Sequence, residues 1–156
     1  MTALKPLLFF IFVPGMLIGF VPFHIAINNP PFFDLGLFRY LSIPFWLAGA
    51  AGMLWCFWDF AIKGRGTPAP IDPPQELVTT GLYRLVRNPM YVSALIALLG
   101  WSIWSPSLPM LVALFLFFSA AHLFVTLYEE PHLRKTFGLV YEDYLKRVPC
   151  WLPKFK

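Results

Sequence analysis

Long apolar runs alternate with polar segments along the chain, and this pattern predicts a bundle of helices. The four apolar runs cover residues 6–27, 41–62, 91–104 and 108–128. A helix needs about 20 apolar residues to cross the hydrocarbon core of a bilayer, so the third run is short and the others are long enough. Pro106 and Pro109 separate the last two runs, which predicts a tight turn between antiparallel helices. We therefore predict an all-α integral membrane bundle with four transmembrane helices in a single domain, residues 1–156.

Two polar segments, residues 63–90 and 129–156, follow the second and fourth runs. In the second segment, apolar residues recur at helical spacing between charged ones. They are Leu133, Phe137, Val140, Tyr141, Tyr144 and Val148. This pattern is typical of an amphipathic helix, which either lies at the membrane interface or packs on its own protein. We predict a C-terminal interfacial helix here.

The composition supports a membrane protein. Of the 156 residues, 58% are hydrophobic and 13% are charged, whereas soluble domains carry about 25% charged residues. A soluble fold of this size would leave much of the apolar surface in water. A disordered chain is excluded because such chains are poor in apolar residues.

The placement of basic residues predicts the orientation of the bundle. All of the 12 Lys and Arg residues except Arg39 lie in the N-terminal segment, the connection at 63–90 or the tail. Four crossings would put these three segments on one side, which the positive-inside rule assigns to the cytoplasm. We predict that both termini are cytoplasmic, that the two polar segments meet there, and that nucleic acid is not a partner.

The connection at residues 63–90 has the composition of a rigid loop, with Pro68, Pro70, Pro73 and Pro74 close together. Stiff loops on a scaffold commonly hold ligands, and a structural strap between spans would have the same composition. At the end of the connection, Asn88 and Pro89 have the preferences of an N-cap and a first helical residue. The free N–H groups of such a helix start attract anionic groups, and Tyr83 and Tyr91 flank it.

Acidic and ionisable residues mark the same side of the bundle. Glu129 and Glu130 follow the fourth run, where a helix C-terminus would favour cations. They either bind a ligand's ammonium group or simply mark the membrane edge. Asp59 and His122 lie inside apolar runs, where ionisable residues are functional candidates by default.

The two cysteines and three histidines lack the spacing of a zinc site or a disulfide framework. We therefore expect no metal.

Two stretches of sequence carry a resemblance to a known family. They read ELVTTGLYRLVRNPMY and EEPHLRKTFGLVYEDYLKRVPCWLP, with a pair of apolar runs between them. Over about residues 64–153, their order and spacing resemble the isoprenylcysteine carboxyl methyltransferase family and its bacterial and archaeal relatives. The resemblance implies an S-adenosylmethionine-dependent methyltransferase, with the donor on the cytoplasmic side beneath the tail helix and a lipophilic or lipidated acceptor entering from the bilayer. The donor contacts it implies are Gln75, Glu76, Leu77, Val78, Tyr83, Asn88, Pro89, Met90, Tyr91 and Glu129.

The acceptor implied by the resemblance is a prenylcysteine-like carboxylate. Animal enzymes of the family carry an arginine for this carboxylate at the position of Val125, so other acceptors stay open. An amine acceptor would first have to lose a proton, and Glu130 and His122 are the candidate catalytic bases.

Three alternative functions stay open. Phospholipid N-methyltransferases share a looser version of the motifs. Membrane sterol reductases have a related C-terminal core, and Arg65, Arg84 and Arg87 could contact the phosphates of NADPH. A non-catalytic membrane ligand binder is the alternative outside enzymes, and no inverted repeat indicates a transporter.

Overall fold

A computed structural model describes residues 14–60, 62 and 76–154 of the chain. All regular structure in these ranges is helical and none is strand, which confirms the all-α prediction. The helices are α1 (Gly15–Asn28), α2 (Gly36–Asp59), α3 (Pro89–Trp104), α4 (Leu108–Phe137) and α5 (Leu139–Arg147), with a 3₁₀ turn at Gly81–Arg84 between α2 and α3.

Helices α2 and α4 are long and apolar enough to cross a membrane. Only 17% of the most apolar window of each is buried inside the protein, so most of these side chains face outwards. A core helix of a soluble protein would be mostly buried, and lipid accounts for the outward apolar surface. α1 and α3 are apolar but shorter, and the first predicted run begins before the described residues. The count of four crossings therefore stays a prediction.

Helices α2 and α3 form the tightest helix pair because small residues line their contact. A Cβ atom on Gly49 would lie 2.7 Å from the carbonyl oxygen of Ser93 and 2.8 Å from the Cβ of Ala97. A Cβ on Gly100 would lie 2.7 Å from Cδ1 of Trp46. In a bilayer, helices associate largely through such close van der Waals packing.

Backbone and indole hydrogen bonds join the helices at the end of the bundle opposite the polar connection. The Nε1–H of Trp101 donates to the carbonyl of Ile18 at 2.7 Å. The N–H of Phe32 donates to the carbonyl of Pro106 at 2.7 Å. Only Ser105, Pro106 and Ser107 separate α3 from α4, which confirms the predicted tight turn.

Helix α4 continues well past the apolar run. After Phe124 it passes through a wider π-helical turn, Val125–Glu129, and runs on as regular helix to Phe137. Glu129 and Glu130 therefore lie within a helix, and the prediction that they oppose a helix C-terminus is wrong. The N–H groups of the following turns satisfy the carbonyls that a helix end would leave free. Single π-turns in α-helices frequently occur at functional sites.

The predicted amphipathic tail helix is divided into two helices at Gly138. Gly138 has φ +54° and ψ −128°, a conformation that glycine adopts readily. Beyond this break, Tyr141 and Tyr144 are buried and pack with Val148 against Leu77 and other apolar residues. The apolar face thus packs on its own protein, whereas Val140, which the spacing places on that face, is exposed.

Candidate functional site

A cavity of about 60 Å³ lies where the loop before α3, the end of α2, the π-turn of α4 and α5 come together. Six residues predicted from the sequence line it: Leu77, Val78, Tyr83, Asn88, Glu129 and Glu130. Six others complete the lining: Phe60, Arg87, Val125, Leu133, Tyr141 and Tyr144. Helical spacing predicts that the tail tyrosines belong to an apolar face. It does not predict that they line this cavity, because that depends on the tail folding back over the loop.

Tyr83 is held at the cavity by the 3₁₀ turn Gly81–Arg84. Gly81 begins the turn with φ +59°, and Asp59 and Trp55 of α2 fill the space where a Cβ would lie. Tyr83 is buried, and its carbonyl accepts a hydrogen bond of 2.7 Å from the hydroxyl of Tyr144. Burial raises the pKa of Tyr144 above its ordinary value, so this hydroxyl stays protonated and continues to donate at neutral pH.

Glu130 is paired with arginine side chains. Its carboxylate lies 2.6 Å from Nη1 of Arg87 and 3.8 Å from a guanidinium nitrogen of Arg134. Within the described residues, the buried Nε–H of Arg87 has no hydrogen-bond acceptor. The cavity wall thus combines a neutralised carboxylate with a guanidinium whose buried Nε–H group is available to a ligand.

Glu129, the last residue of the π-turn, forms a second polar contact. Its Oε1 accepts a hydrogen bond of 2.7 Å from the hydroxyl of Tyr91, in the first turn of α3. Tyr91 therefore orients the carboxylate from outside the cavity lining. This carboxylate can attract a cationic group of a ligand in the cavity.

Asn88 and Pro89 occupy the N-cap and first position of α3, as predicted. The side chain of Asn88 is directed at the tail, where its Nδ2 lies 3.4 Å from the carbonyl oxygen and 3.3 Å from Sγ of Cys150. The N–H of Arg87 donates to the carbonyl of Pro149 at 2.9 Å. Burial raises the pKa of the Cys150 thiol, which keeps it neutral. The start of α3 thus contacts the tail through the backbone N–H of Arg87 and the side chain of Asn88.

Three further predicted donor contacts are not among the cavity-lining residues: Glu76, Pro89 and Met90. Met90 packs against the buried cluster that contains Cys56, Val78 and Tyr83. Pro89 is buried, and its carbonyl accepts a hydrogen bond from Ser93. Glu76 is exposed, and Gln75 lies outside the described residues, as do the four prolines at 68–74.

His122, a candidate base, lies outside the cavity lining. Its Nδ1 accepts a hydrogen bond of 3.3 Å from Nε1–H of Trp151, and its ring stacks on that of Phe118. A neutral imidazole that accepts at Nδ1 carries its proton on Nε2. In this tautomer, Nδ1 faces the indole of Trp151 and not the cavity.

In the described part of the chain, no group of three His, Cys, Asp or Glu side chains is arranged to hold a metal ion.

The sequence profile of the phospholipid methyltransferase family matches residues 37–139. Three curated relatives are similar over part of their length. The nickel-cobalt-cadmium resistance protein NccN of Alcaligenes xylosoxydans xylosoxydans is 31% identical over 103 residues, 66% of this chain and 44% of that protein. The cobalt-zinc-cadmium resistance protein CzcN of Cupriavidus metallidurans is 32% identical over 103 residues, 66% of this chain and 43% of that protein. Methanethiol S-methyltransferase 2 of Bradyrhizobium diazoefficiens is 35% identical over 81 residues, 51% of this chain and 30% of that protein.

The chain thus spans less than half the length of these relatives. The matched range of the profile covers more than half of this chain and contains every cavity-lining residue except Tyr141 and Tyr144. These findings confirm the resemblance read from the motifs. The chain belongs to the phospholipid methyltransferase family of membrane methyltransferases, to which enzymes of the isoprenylcysteine carboxyl methyltransferase type also belong.

Proposed function

We propose that the protein transfers a methyl group from S-adenosylmethionine to a lipophilic acceptor, with a prenylcysteine-like carboxylate as the first candidate. The observation that carries the proposal is the cavity, where Glu129 and Arg87 present opposite charges between apolar walls. S-adenosylmethionine supplies an electrophilic methyl group, so that the acceptor–methyl bond forms while the sulfur–methyl bond breaks and its electron pair returns to sulfur.

The charged groups of the cavity fit the amino-acid portion of this donor. The Glu129 carboxylate suits an ammonium group, and the buried Nε–H of Arg87 suits a carboxylate. Leu77, Val78 and Val125 offer apolar surface for the remainder of the molecule. The chemistry of the lining therefore supports a ligand with a zwitterionic amino-acid end and a ring that packs on apolar side chains.

The size of the cavity requires movement before the donor binds. Pockets for drug-sized ligands have volumes of about 300–1,000 Å³, whereas this cavity holds about 60 Å³. Tyr141 and Tyr144 of α5 form one of its walls. We propose that α5 moves outwards to admit the donor and then closes over it.

The chain would contribute to catalysis by positioning the reactants and excluding water. Holding the reacting atoms close and in line can lower a barrier by ~7–11 kcal/mol. The apolar walls formed by Phe60, Val125 and Leu133 keep the site poor in water. This favours transfer to a carboxylate, because the transition state is less charged than the separated anion and cation.

The acceptor would reach the site from the bilayer, between α3 and α4 near His122. The outward surface of α4 is rich in exposed apolar side chains, including Phe115, Leu123 and Leu127. A lipophilic molecule that diffuses in the membrane meets this surface first.

The polar contacts favour an acceptor that needs no general base. Glu130 is paired with Arg87, and His122 accepts a hydrogen bond from Trp151. A carboxylate is already deprotonated at neutral pH. Phospholipid N-methylation is the second candidate, because the matching family profile is that of phospholipid methyltransferases.

Two experiments test the proposal on the purified full-length protein in detergent. Calorimetry should detect binding of S-adenosylmethionine and no binding of NADPH, whereas binding of NADPH alone would support the reductase alternative. Transfer of radiolabelled methyl to N-acetylfarnesylcysteine should give a base-labile ester.

Membrane lipid extract is assayed in parallel. A base-stable label in lipid amine would assign the phospholipid reaction instead. Donor binding without transfer to either acceptor would contradict the lipophilic acceptor and favour a ligand-binding role or a small acceptor such as a thiol.

A further inference from the structure

Aromatic side chains from α3, α4 and the tail meet beside the cavity. The indole centroid of Trp151 lies 5.3 Å from that of Phe118, 6.1 Å from His122 and 6.4 Å from Tyr91. We call these four residues the Trp151 cluster. It contains no carboxylate or basic side chain apart from the imidazole, so it offers mainly apolar surface to a visiting molecule.

The Trp151 cluster lies between the outward surface of the bundle and the cavity. Phe118 and His122 are one turn apart on α4, and Tyr91 lies in the first turn of α3, so the indole covers the gap between the two helices. Phe118 is exposed on the outward side. On the inward side, Tyr91 donates its hydrogen bond to Glu129, which lines the cavity.

Trp151 is fixed in place by the chain before it and by its own side chain. The carbonyl of Pro149 accepts from the N–H of Arg87, and the carbonyl of Cys150 lies 3.4 Å from Nδ2 of Asn88. The indole Nε1–H donates to Nδ1 of His122. The ring is therefore held in one orientation across the gap.

We propose that Trp151 determines which acceptors reach the reacting methyl group, and that His122 positions its indole. The inference rests on the proposed methyl transfer. An acceptor that enters between α3 and α4 slides along the indole face, and the size of the ring limits the bulk of the acceptor's apolar part. His122 is on this account a positioning residue and not a general base.

The expected effect of replacing Trp151 follows from how strongly apolar pockets discriminate between ligands of different size. One methylene group more or less in such a pocket changes specificity by about 10–200-fold. Trp151→Ala removes a large ring from the entry path. The kcat/KM for bulky acceptors should therefore rise relative to that for small acceptors. We expect the preference for the larger of two acceptors to rise by on the order of tenfold.

The test uses full-length protein in lipid nanodiscs with radiolabelled S-adenosylmethionine. The acceptors are N-acetylgeranylcysteine, N-acetylfarnesylcysteine and N-acetylgeranylgeranylcysteine, and kcat/KM is measured for each. Trp151→Ala should shift the preference towards the longest chain, and Trp151→Phe, which keeps a ring, should shift it less. Trp58→Ala is the matched control, because Trp58 is 67% exposed on α2, and it should leave the preference unchanged.

Two His122 variants test whether His122 positions the indole. Asparagine can offer its amide oxygen near the position of Nδ1, so His122→Asn should retain the wild-type preference. His122→Leu offers no acceptor and should shift the preference in the direction of Trp151→Ala. Equal slowing of all three acceptors in both variants, with the preference unchanged, would show that His122 does not position the indole.

The outcomes distinguish the inference from the function on which it rests. If the wild type transfers methyl groups but Trp151→Ala has the wild-type preference, or loses rate equally with all three acceptors, the assignment of Trp151 is wrong and the proposed function stands. If the wild type methylates none of the three, the prenylcysteine-like acceptor is wrong and the assignment of Trp151 fails with it, whereas label in the membrane lipid extract would leave methyl transfer to a lipophilic acceptor standing.

Discussion

Gly81 is packed between two side chains of α2 at the start of the turn that carries Tyr83. Its φ of +59° lies in the left-handed region, and a Cβ there would meet Oδ2 of Asp59 and lie 2.9 Å from Nε1 of Trp55. Asp59 is 2% exposed and has little room to move. The sequence indicates Asp59 as an intramembrane functional candidate, and the structure gives it a place beneath the turn instead of in the cavity lining.

Gly81→Ala should therefore lower the stability of the protein. The left-handed backbone and the contact with Asp59 together should cost roughly 2–4 kcal/mol. The melting temperature in detergent would measure the loss. Gly19→Ala is the control, because a Cβ on Gly19 would meet nothing within 4 Å; equal melting temperatures for the two variants would contradict the role of packing at Gly81.

Replacing Glu129 should weaken donor binding. Glu129→Ala removes the carboxylate proposed to pair with the donor's ammonium group, and loss of a desolvated charge pair costs on the order of 2–4 kcal/mol. Calorimetry with S-adenosylmethionine measures this change. Asp143→Ala, at a side chain 65% exposed, should have no effect, and an unchanged affinity in Glu129→Ala would remove Glu129 from the donor site.

At the scale of elements, α5 is held by two kinds of contact. The Tyr144–Tyr83 hydrogen bond joins it to the loop before α3. Apolar packing of its buried tyrosines joins it to Leu133 and Phe137 in the last turns of α4. These contacts make α5 a cover of the cavity. If this cover has to open for the donor, the loss of one contact should make α5 open more often.

Tyr144→Phe should loosen this cover without removing its ring. The buried carbonyl of Tyr83 would lose its donor, at a cost of about 1–3 kcal/mol. Amide hydrogen exchange in α5 should accelerate by on the order of tenfold, since about 1.4 kcal/mol corresponds to a factor of ten. Tyr128→Phe, at a tyrosine 51% exposed, should leave exchange in α5 as it is; equal exchange in Tyr144→Phe and the wild type would show that this bond does not hold the cover.

Local signals explain which elements are predictable from the sequence. Pro89 starts α3, and Pro106 and Pro109 confine the turn before α4, so these bounds agree closely with the structure. The end of α4 is not predictable in this way, because Glu129 and Glu130 end an apolar run without ending a helix. The break after Phe137 is likewise hidden, because apolar spacing continues across it.

The candidate site is predictable only where short motifs carry it. Leu77, Val78, Tyr83, Asn88 and Glu129 belong to such motifs and line the cavity. The end of α2 and the tail tyrosines join them only when distant segments fold together, and no local pattern marks that contact. The binding of the Asn88 side chain to the tail is also a long-range contact that its N-cap preference does not reveal.

At the scale of the whole molecule, the predicted topology places both termini on the cytoplasmic side. Single cysteines introduced at Thr2, Asp34 and Lys156, in a background without Cys56 and Cys150, would test it with a membrane-impermeant reagent. The two terminal positions should be labelled from the cytoplasmic face and Asp34, which is exposed between α1 and α2, from the other. Labelling of the termini from opposite faces would contradict the four crossings.

The short length of α3 has a consequence for the surrounding lipid. Its 16 residues rise about 24 Å, less than the ~30 Å of a typical hydrocarbon core. One end of α3 is tied to the tail through Asn88 and the other to α1 through Trp101, so no further helical turns are available to lengthen it. In the predicted topology, we therefore expect the bilayer to thin around the entry between α3 and α4. Such thinning would bring the head groups of neighbouring lipids closer to Glu129, and turnover should be faster in membranes of short-chain lipids than in thick ones.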